Sequence, residues 1–174
     1  MILLPLLLLI GTESGTWKAD PSKAKVEFSI KGPLGTVHGD FTGLKATIQF
    51  DPKNPAAGSI SASIDPKTVS TGIGLRNHHL RSEEQYLNTD KYPSISFHSK
   101  KIEKTGSGYT VSGDLTLKGV SKPVQIPFTF SPSGNSGVFK GQFVIKRADF
   151  NIGGKPGGSV GDDIMISLEI PVSQ

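Results

Sequence analysis

Four histidines, His38, His78, His79 and His98, are the side chains of this sequence best suited by type to acid–base or metal chemistry. Their spacing serves neither. His78 and His79 are adjacent and would point ~100° apart on a helix, a poor arrangement for gripping one metal. His38 and His98 have the outward parity of the strands they occupy. There is no H-x-H, no H-E-x-x-H and no carboxylate-rich calcium loop. Asp162-Asp163 offers two carboxylates, yet neighbours on a strand face opposite ways. No G-x-S-x-G elbow presents a serine nucleophile. Cysteine is absent, which excludes thiol nucleophiles, disulfides, zinc–thiolate sites and iron–sulfur clusters. Gly72-Ile73-Gly74 and Gly153-Gly154-Lys155-Pro156-Gly157-Gly158 read as loops, because neither opens a β–α unit that would cradle a phosphate. No catalytic residue, metal or cofactor is expected.

Composition narrows the classes further. A chain of 174 residues is one domain long. Its 21 glycines and 12 prolines make it turn-rich, still below the ~25–30% that marks disorder. Nineteen basic against fifteen acidic residues leave a net charge of +4. No run of Lys/Arg exceeds two residues, so no nucleic-acid partner is expected.

What the chain offers in quantity is an apolar face with a period of two. Residues 25–31 put Val26, Phe28 and Ile30 on one side and charged or polar residues on the other. Residues 37–50 place Val37, Gly39 and Phe41 on one face, then Leu44, Ala46, Ile48 and Phe50. Parity changes across Gly43-Leu44, which predicts a β-bulge or corner there. The same alternation gives Ile60, Ala62 and Ile64 in 59–65 and Ile95 and Phe97 in 94–99. It gives Tyr109, Val111, Leu115 and Leu117 in 109–118, then Val124, Ile126, Phe128 and Phe130 in 124–130. Residues 138–146 add Phe139, Phe143 and Ile145, and 162–172 add Ile164, Ile166, Leu168, Ile170 and Val172.

These segments make about eight strands, joined by turn-rich connections and without internal repeats or linkers. The exception lies between the third and fourth strands, where Ser82 followed by Glu83, Glu84 and Gln85 predicts a capped helix from about Glu83 to Leu87. One antiparallel sheet with a single apolar face buries it by closing into a barrel, which removes the edges. A two-sheet sandwich is the competitor. Eight of nine phenylalanines point inward, together with small residues at Gly39, Ala46, Ala62, Gly113 and Gly141. Such an interior either packs solid or leaves a tunnel for one slender ligand. Parity leaves that choice open.

The N-terminus stands apart. Residues 1–10 are apolar and uncharged, but as a helix they would rise only ~15 Å, half a bilayer's hydrocarbon core. Their length fits the hydrophobic region of a secretory signal, although a basic start and an A-x-A site are missing. The alternative is a hydrophobic strand docked on the domain. The expected division is an exported signal or apolar segment over 1–15 and a barrel domain over 16–174.

The motifs resemble the YceI-like, polyisoprenoid-binding family of bacterial periplasmic proteins. They run in order from Trp17-Lys18-Ala19-Asp20 through Val37-His38-Gly39-Asp40-Phe41. Thr71, the 76–82 stretch from Arg76-Asn77-His78-His79 to Ser82, and Tyr92-Pro93-Ser94-Ile95-Ser96-Phe97 follow. The most specific block begins Gly113-Asp114-Leu115-Thr116-Leu117-Lys118-Gly119. Arg147-Ala148-Asp149-Phe150-Asn151-Ile152 and Val160-Gly161-Asp162 complete the set.

The resemblance implies an all-β, extended, antiparallel lipocalin-like β-barrel whose lumen holds a long isoprenoid lipid, polyprenyl or quinone-like. It also implies export to the periplasm or medium, no catalysis, no stable membrane insertion after processing, and frequent homodimers. The apolar lumen would then be formed by Phe28, Ile30, Phe41, Ile48, Phe50, Ile64, Phe97, Leu115, Leu117, Phe128, Phe130, Phe139, Phe143 and Ile166. Arg76, His79 and Arg81 would stand at the mouth, either facing a quinone carbonyl or phosphate or serving as ordinary loop charges. The chain departs from the family pattern at Lys23-Ala24, at Lys31-Gly32 and at Asn77, where an aspartate is usual. The competing function is a structural or stress-related envelope domain with a solid core and no ligand.

Overall fold

The computed structural model describes residues 15–174. The expectation of an export signal falls on 1–15 and so lies almost entirely outside the described residues. Period-two alternation resolves into one antiparallel sheet of ten strands: β1 (Thr16–Ala19), β2 (Lys25–Gly32), β3 (Gly35–Phe41), β4 (Lys45–Gln49), β5 (Ser59–Ile64), β6 (Ile95–Thr105), β7 (Gly108–Leu117), β8 (Val120–Ser133), β9 (Ser136–Lys146) and β10 (Asp163–Ser173). The sheet order runs β1-β4-β5-β6-β7-β8-β9-β10, and β1 pairs again with β10, closing an eight-stranded barrel. The fold is the all-β lipocalin-like barrel, not a sandwich.

Two strands more than expected arise for two reasons. Thr16–Ala19 forms a short strand that seals the barrel, with Lys18 and Ala19 opposite Ser173 and Val172. The long segment 37–50 splits at the predicted place into β3 and β4. Gly43 has φ +73, a left-handed value that glycine adopts at no steric cost. The chain turns there, so β3 stays on β2 while β4 crosses to β1 and β5. The β2–β3 hairpin continues the sheet from the N-terminal part of β10, with Ile164 opposite Ile30 and Glu169 opposite Lys25.

A bulge absent from the sequence reading sits in β6. Register shifts between Ser99 and Lys101. Phe97 and Ile102 are an odd number of residues apart, yet both are buried, because the extra residue restores their common face. Ser99 Oγ accepts the Ile60 N–H at 2.8 Å.

The helix, α1 (Gly74–Ser82), lies in the expected insertion but ends where its start was predicted. Ser82 Oγ donates back to His78 O at 2.8 Å instead of capping a following turn. Glu83 is extended and its N–H closes on His79 O; 84–87 continues as turns. Ser82 can bond backward as readily as forward, and the glycines flanking Ile73 concealed the true start.

The two ends of the barrel differ. Turns β4–β5, β6–β7 and β8–β9 lie at one end, which an aromatic cluster closes. Phe50 meets Tyr109, Phe128, Phe130 and Phe139 at centroid distances of 4.9, 5.5, 5.4 and 5.6 Å, all edge-on, a favoured geometry for aromatic pairs. Trp17 packs edge-on against Phe130 at 5.1 Å and donates its indole N–H to Phe50 O at 3.1 Å. The opposite end carries the β2–β3 and β7–β8 turns, the 65–94 insertion with α1, and the β9–β10 connection.

Candidate functional site

Between the aromatic cluster and the far end lies a cavity of about 700 Å³, within the ~300–1,000 Å³ common for ligand sites. The interior is therefore open, contrary to the solid-core alternative. Phe28, Ile30, Phe41, Ile48, Ile64, Phe97, Leu115, Leu117, Phe128, Phe139, Phe143 and Ile166 all line it. Phe50 and Phe130 do not: they belong to the aromatic floor, beneath Phe128 and Phe139. Their inward parity was correctly read, but parity does not encode height along the barrel axis.

The glycines among the small inward residues are not what keeps the space open. A Cβ built on Gly39 would meet Phe28 Cε1 at 2.7 Å, one on Gly113 would meet Phe97 Cζ at 2.7 Å, and one on Gly137 would meet Phe130 Cε2 at 2.5 Å. Each glycine is roofed by a phenylalanine ring from the neighbouring strand, a pairing that covers bare backbone. Gly141 lies in the cavity wall, but a Cβ there would meet Pro127 O at 3.0 Å. The small side chains that leave room are Ala46 and Ala62, which face each other across β4 and β5 and both line the cavity.

Polar side chains enter mainly from the insertion and the β9–β10 connection. Arg76, His79, Tyr86, Thr71 and Arg147 line the cavity, together with Ser63, Ser96 and Lys140 from the strands. Arg81, the third expected mouth residue, is not in the lining. Its Nη2 donates to Val69 O at 3.2 Å, tying α1 to the start of the insertion. His79 Nδ1 is 3.7 Å from Glu83 Oε1. Asn77 Oδ1 accepts both the N–H and the hydroxyl of Thr71, at 2.8 and 2.7 Å. Asn77 thus orders the chain leading into α1.

Arg147 is the residue whose importance the sequence reading missed. It is 2% exposed, and its guanidinium donates to the carbonyls of Gly161, Ile152, Gly153, Gly154, Lys155 and Val160 and to Asp162 Oδ1. The glycine-rich run is a loop wound around this cation. Its glycines let carbonyls converge where side chains would crowd: Gly153, Gly154 and Gly157 have φ of +71, +76 and +81. Lys118 Nζ donates to Asn151 O at 2.6 Å, joining the β7–β8 turn to the same connection.

Other candidates from the sequence take structural roles. Asp162 holds Arg147 and Asp163 pairs with Lys146 at 3.1 Å. Asp114 pairs with Lys100 at 2.9 Å, and Thr116 shares a hydrogen bond with Ser121. His38 and His98 are exposed on the outer wall. Among the described residues no three His, Asp or Glu side chains come together as metal ligands.

The arrangement suits a long apolar molecule with a small polar end. Each buried methylene contributes ~0.8 kcal/mol, so a five-carbon repeat contributes about 4 kcal/mol without any hydrogen bond. The cations and hydroxyls at the open end are placed to meet a polar terminus.

Comparison with known proteins agrees with this geometry. A UPF0312 protein of Yersinia enterocolitica is 40% identical over 137 residues, covering 74% of this chain and 70% of that one. A UPF0312 protein of Pectobacterium atrosepticum is 39% identical over the same length and coverage. The crystal structure of Burkholderia cenocepacia BcnA superposes with a TM-score of 0.83 at 29% identity, over 90% of this chain and 99% of that one. A polyisoprenoid binding domain from Saccharophagus degradans, implicated in plant cell wall breakdown, shares the fold at a TM-score of 0.69 and 17% identity, over 90% and 97% of the two chains. Residues 17–172 match the YceI-like domain, and the chain belongs to the YceI-like family.

Proposed function

We propose that this barrel binds and carries a long-chain isoprenoid lipid, polyprenyl or quinone-like, in its lumen, and that it does so without catalysis, in the periplasm or outside the cell. The observation that carries the reading is the cavity: about 700 Å³ of space walled mainly by Phe, Ile, Leu and Val, closed at one end and with most of its polar side chains toward the other. A carrier of this form shields an apolar chain while it crosses an aqueous compartment. The S. degradans neighbour is described as a polyisoprenoid binding domain, which supports that ligand class. In this reading Arg76, His79 and Tyr86 meet the polar end of the lipid. A catalytic role would need a nucleophile paired with a base and aimed into the lumen. Of the polar lining residues His79 has a carboxylate beside it, Glu83 at 3.7 Å, but no serine or threonine hydroxyl of the lining is hydrogen-bonded to that histidine as a nucleophile would be.

The test is organic-solvent extraction and mass spectrometry of protein expressed in an isoprenoid-producing host. Extractable polyprenyl or quinone species, approaching one per barrel, are expected. An extract holding only fatty acids, or nothing, overturns the ligand assignment.

A further inference from the structure

Among the described residues the large hydrophobic side chains left exposed are Leu34, Ile73, Leu75, Val144 and Val160. Val144 is on the outer wall of β9; the other four gather at the open end. Ile73, Leu75 and Val160 line the cavity itself, as does Pro33 beside Leu34. Leu34, at the tip of the β2–β3 turn, is fully exposed, and Leu75 is 68% exposed. Exposed apolar residues scattered singly need no explanation, but a ring of them around one opening marks a surface made to be covered.

Charge identifies the cover. The three segments that carry this ring, 31–35, 72–82 and 153–161, contain Lys31, Arg76, Arg81 and Lys155 and no Asp or Glu. The next carboxylates in sequence lie just beyond these segments: Glu83 and Glu84 after α1, with Glu83 3.7 Å from His79, and Asp162 and Asp163 after the glycine-rich loop, paired with Arg147 and Lys146. Apolar tips among lysines and arginines are what an anionic bilayer surface attracts, the tips entering the boundary between headgroups and acyl chains while the cations meet lipid phosphates.

We propose that the rim of the barrel is a membrane-docking surface that seats its open end on an anionic lipid bilayer. Leu34, Ile73, Leu75 and Val160 enter the bilayer interface, with Lys31, Arg76 and Lys155 around them. Docked in this way the cavity opens directly onto lipid, and a hydrophobic chain moves between bilayer and lumen without meeting water. The docking rests on the rim alone, so it stands or falls separately from the identity of the cavity's ligand.

Because the chain has no cysteine, Leu34→Cys in the full chain accepts a single environment-sensitive fluorophore at the rim. Ser107→Cys places the same label at the β6–β7 turn, on the closed end. On adding phosphatidylcholine vesicles that contain phosphatidylglycerol, the label at 34 should shift to the blue and the label at 107 should not. The shift should weaken with added salt and with pure phosphatidylcholine. Ile73→Ser with Leu75→Ser, in the chain labelled at 34, should weaken the partition about tenfold; both residues are exposed and Ile73 occupies the N-cap of α1, where serine is favoured. The proposal is overturned if the label at 34 stays unshifted while the protein floats with vesicles, since another segment would then be the anchor. Equal shifts at 34 and 107 overturn it too, as does a shift at 34 that needs protein concentration and no vesicles, which would make a second copy the cover.

Discussion

Identical substitutions at two small inward residues should have opposite effects, and this tests the reading of the lumen directly. Ala62→Leu points its added carbons into the cavity beside Ala46 and Phe97. At ~0.8 kcal/mol per methylene they gain up to about 2 kcal/mol of apolar burial in the empty protein. Gly39→Leu has nowhere to go. Its Cβ alone would press on the Phe28 ring and lie 2.8 Å from Ser70 O. That carbonyl cannot retreat without breaking its bond to the Asp40 N–H at 2.9 Å. Overpacking of this kind costs ~1–3 kcal/mol. Measured by urea unfolding on delipidated protein, so that bound ligand adds no stability of its own, the two variants should differ by about 1–5 kcal/mol, with Gly39→Leu the less stable. Extraction and mass spectrometry should then show Ala62→Leu folded but depleted of lipid. Equal destabilisation by both substitutions would refute the account of where the space lies. An Ala62→Leu barrel that keeps its full lipid load would refute the lumen as the binding site.

Phe50→Ala removes the ring at the centre of the aromatic floor and should cost about 3–5 kcal/mol, read as a lower urea midpoint with unchanged slope. Arg147→Lys should destabilise by about 2–4 kcal/mol, because an ammonium has three donors where the planar guanidinium satisfies a ring of carbonyls. Hydrogen exchange at Gly161 and in the 153–158 loop should rise in that variant before exchange in β9. Asp20, in the turn between β1 and β2, is held below its ordinary value of 3.8 by the Ser22 hydroxyl first, then by the Ser22 N–H and Lys23. A folded-state value below the unfolded one means stability present above about pH 4 and lost as pH falls through the lowered value. NMR titration should place its midpoint under 3.8, and Asp20→Asn should flatten the acid side of the stability profile; an unchanged profile would contradict the assignment.

Much of the wall was legible residue by residue. Alternation is local: a pleated strand throws successive side chains to opposite faces, so the pattern around Phe28, Ile48, Phe97 or Ile166 reports which side is inside before any partner is known. The same logic located the break at Gly43, since a parity change within one apolar run requires an extra residue or a turn. Closing a sheet with one apolar face pointed to the barrel, and family motifs added its extended lipocalin-like form and its class of ligand as expectations.

Tertiary structure decided what depends on several strands at once. Whether Gly39 is a gap or the seat of the Phe28 ring follows from the β2–β3 register, which neither strand contains by itself. Whether Phe50 lines the cavity or floors it depends on height along the barrel, set by the stagger of all eight strands. Ile102 reaches the core only through the bulge at Lys100, and Arg147 matters only because the glycine-rich loop after it, up to Asp162 fifteen residues further on, closes on it. A face is a property of one strand's own backbone. A void is what remains when side-chain volumes from all of them are summed in space.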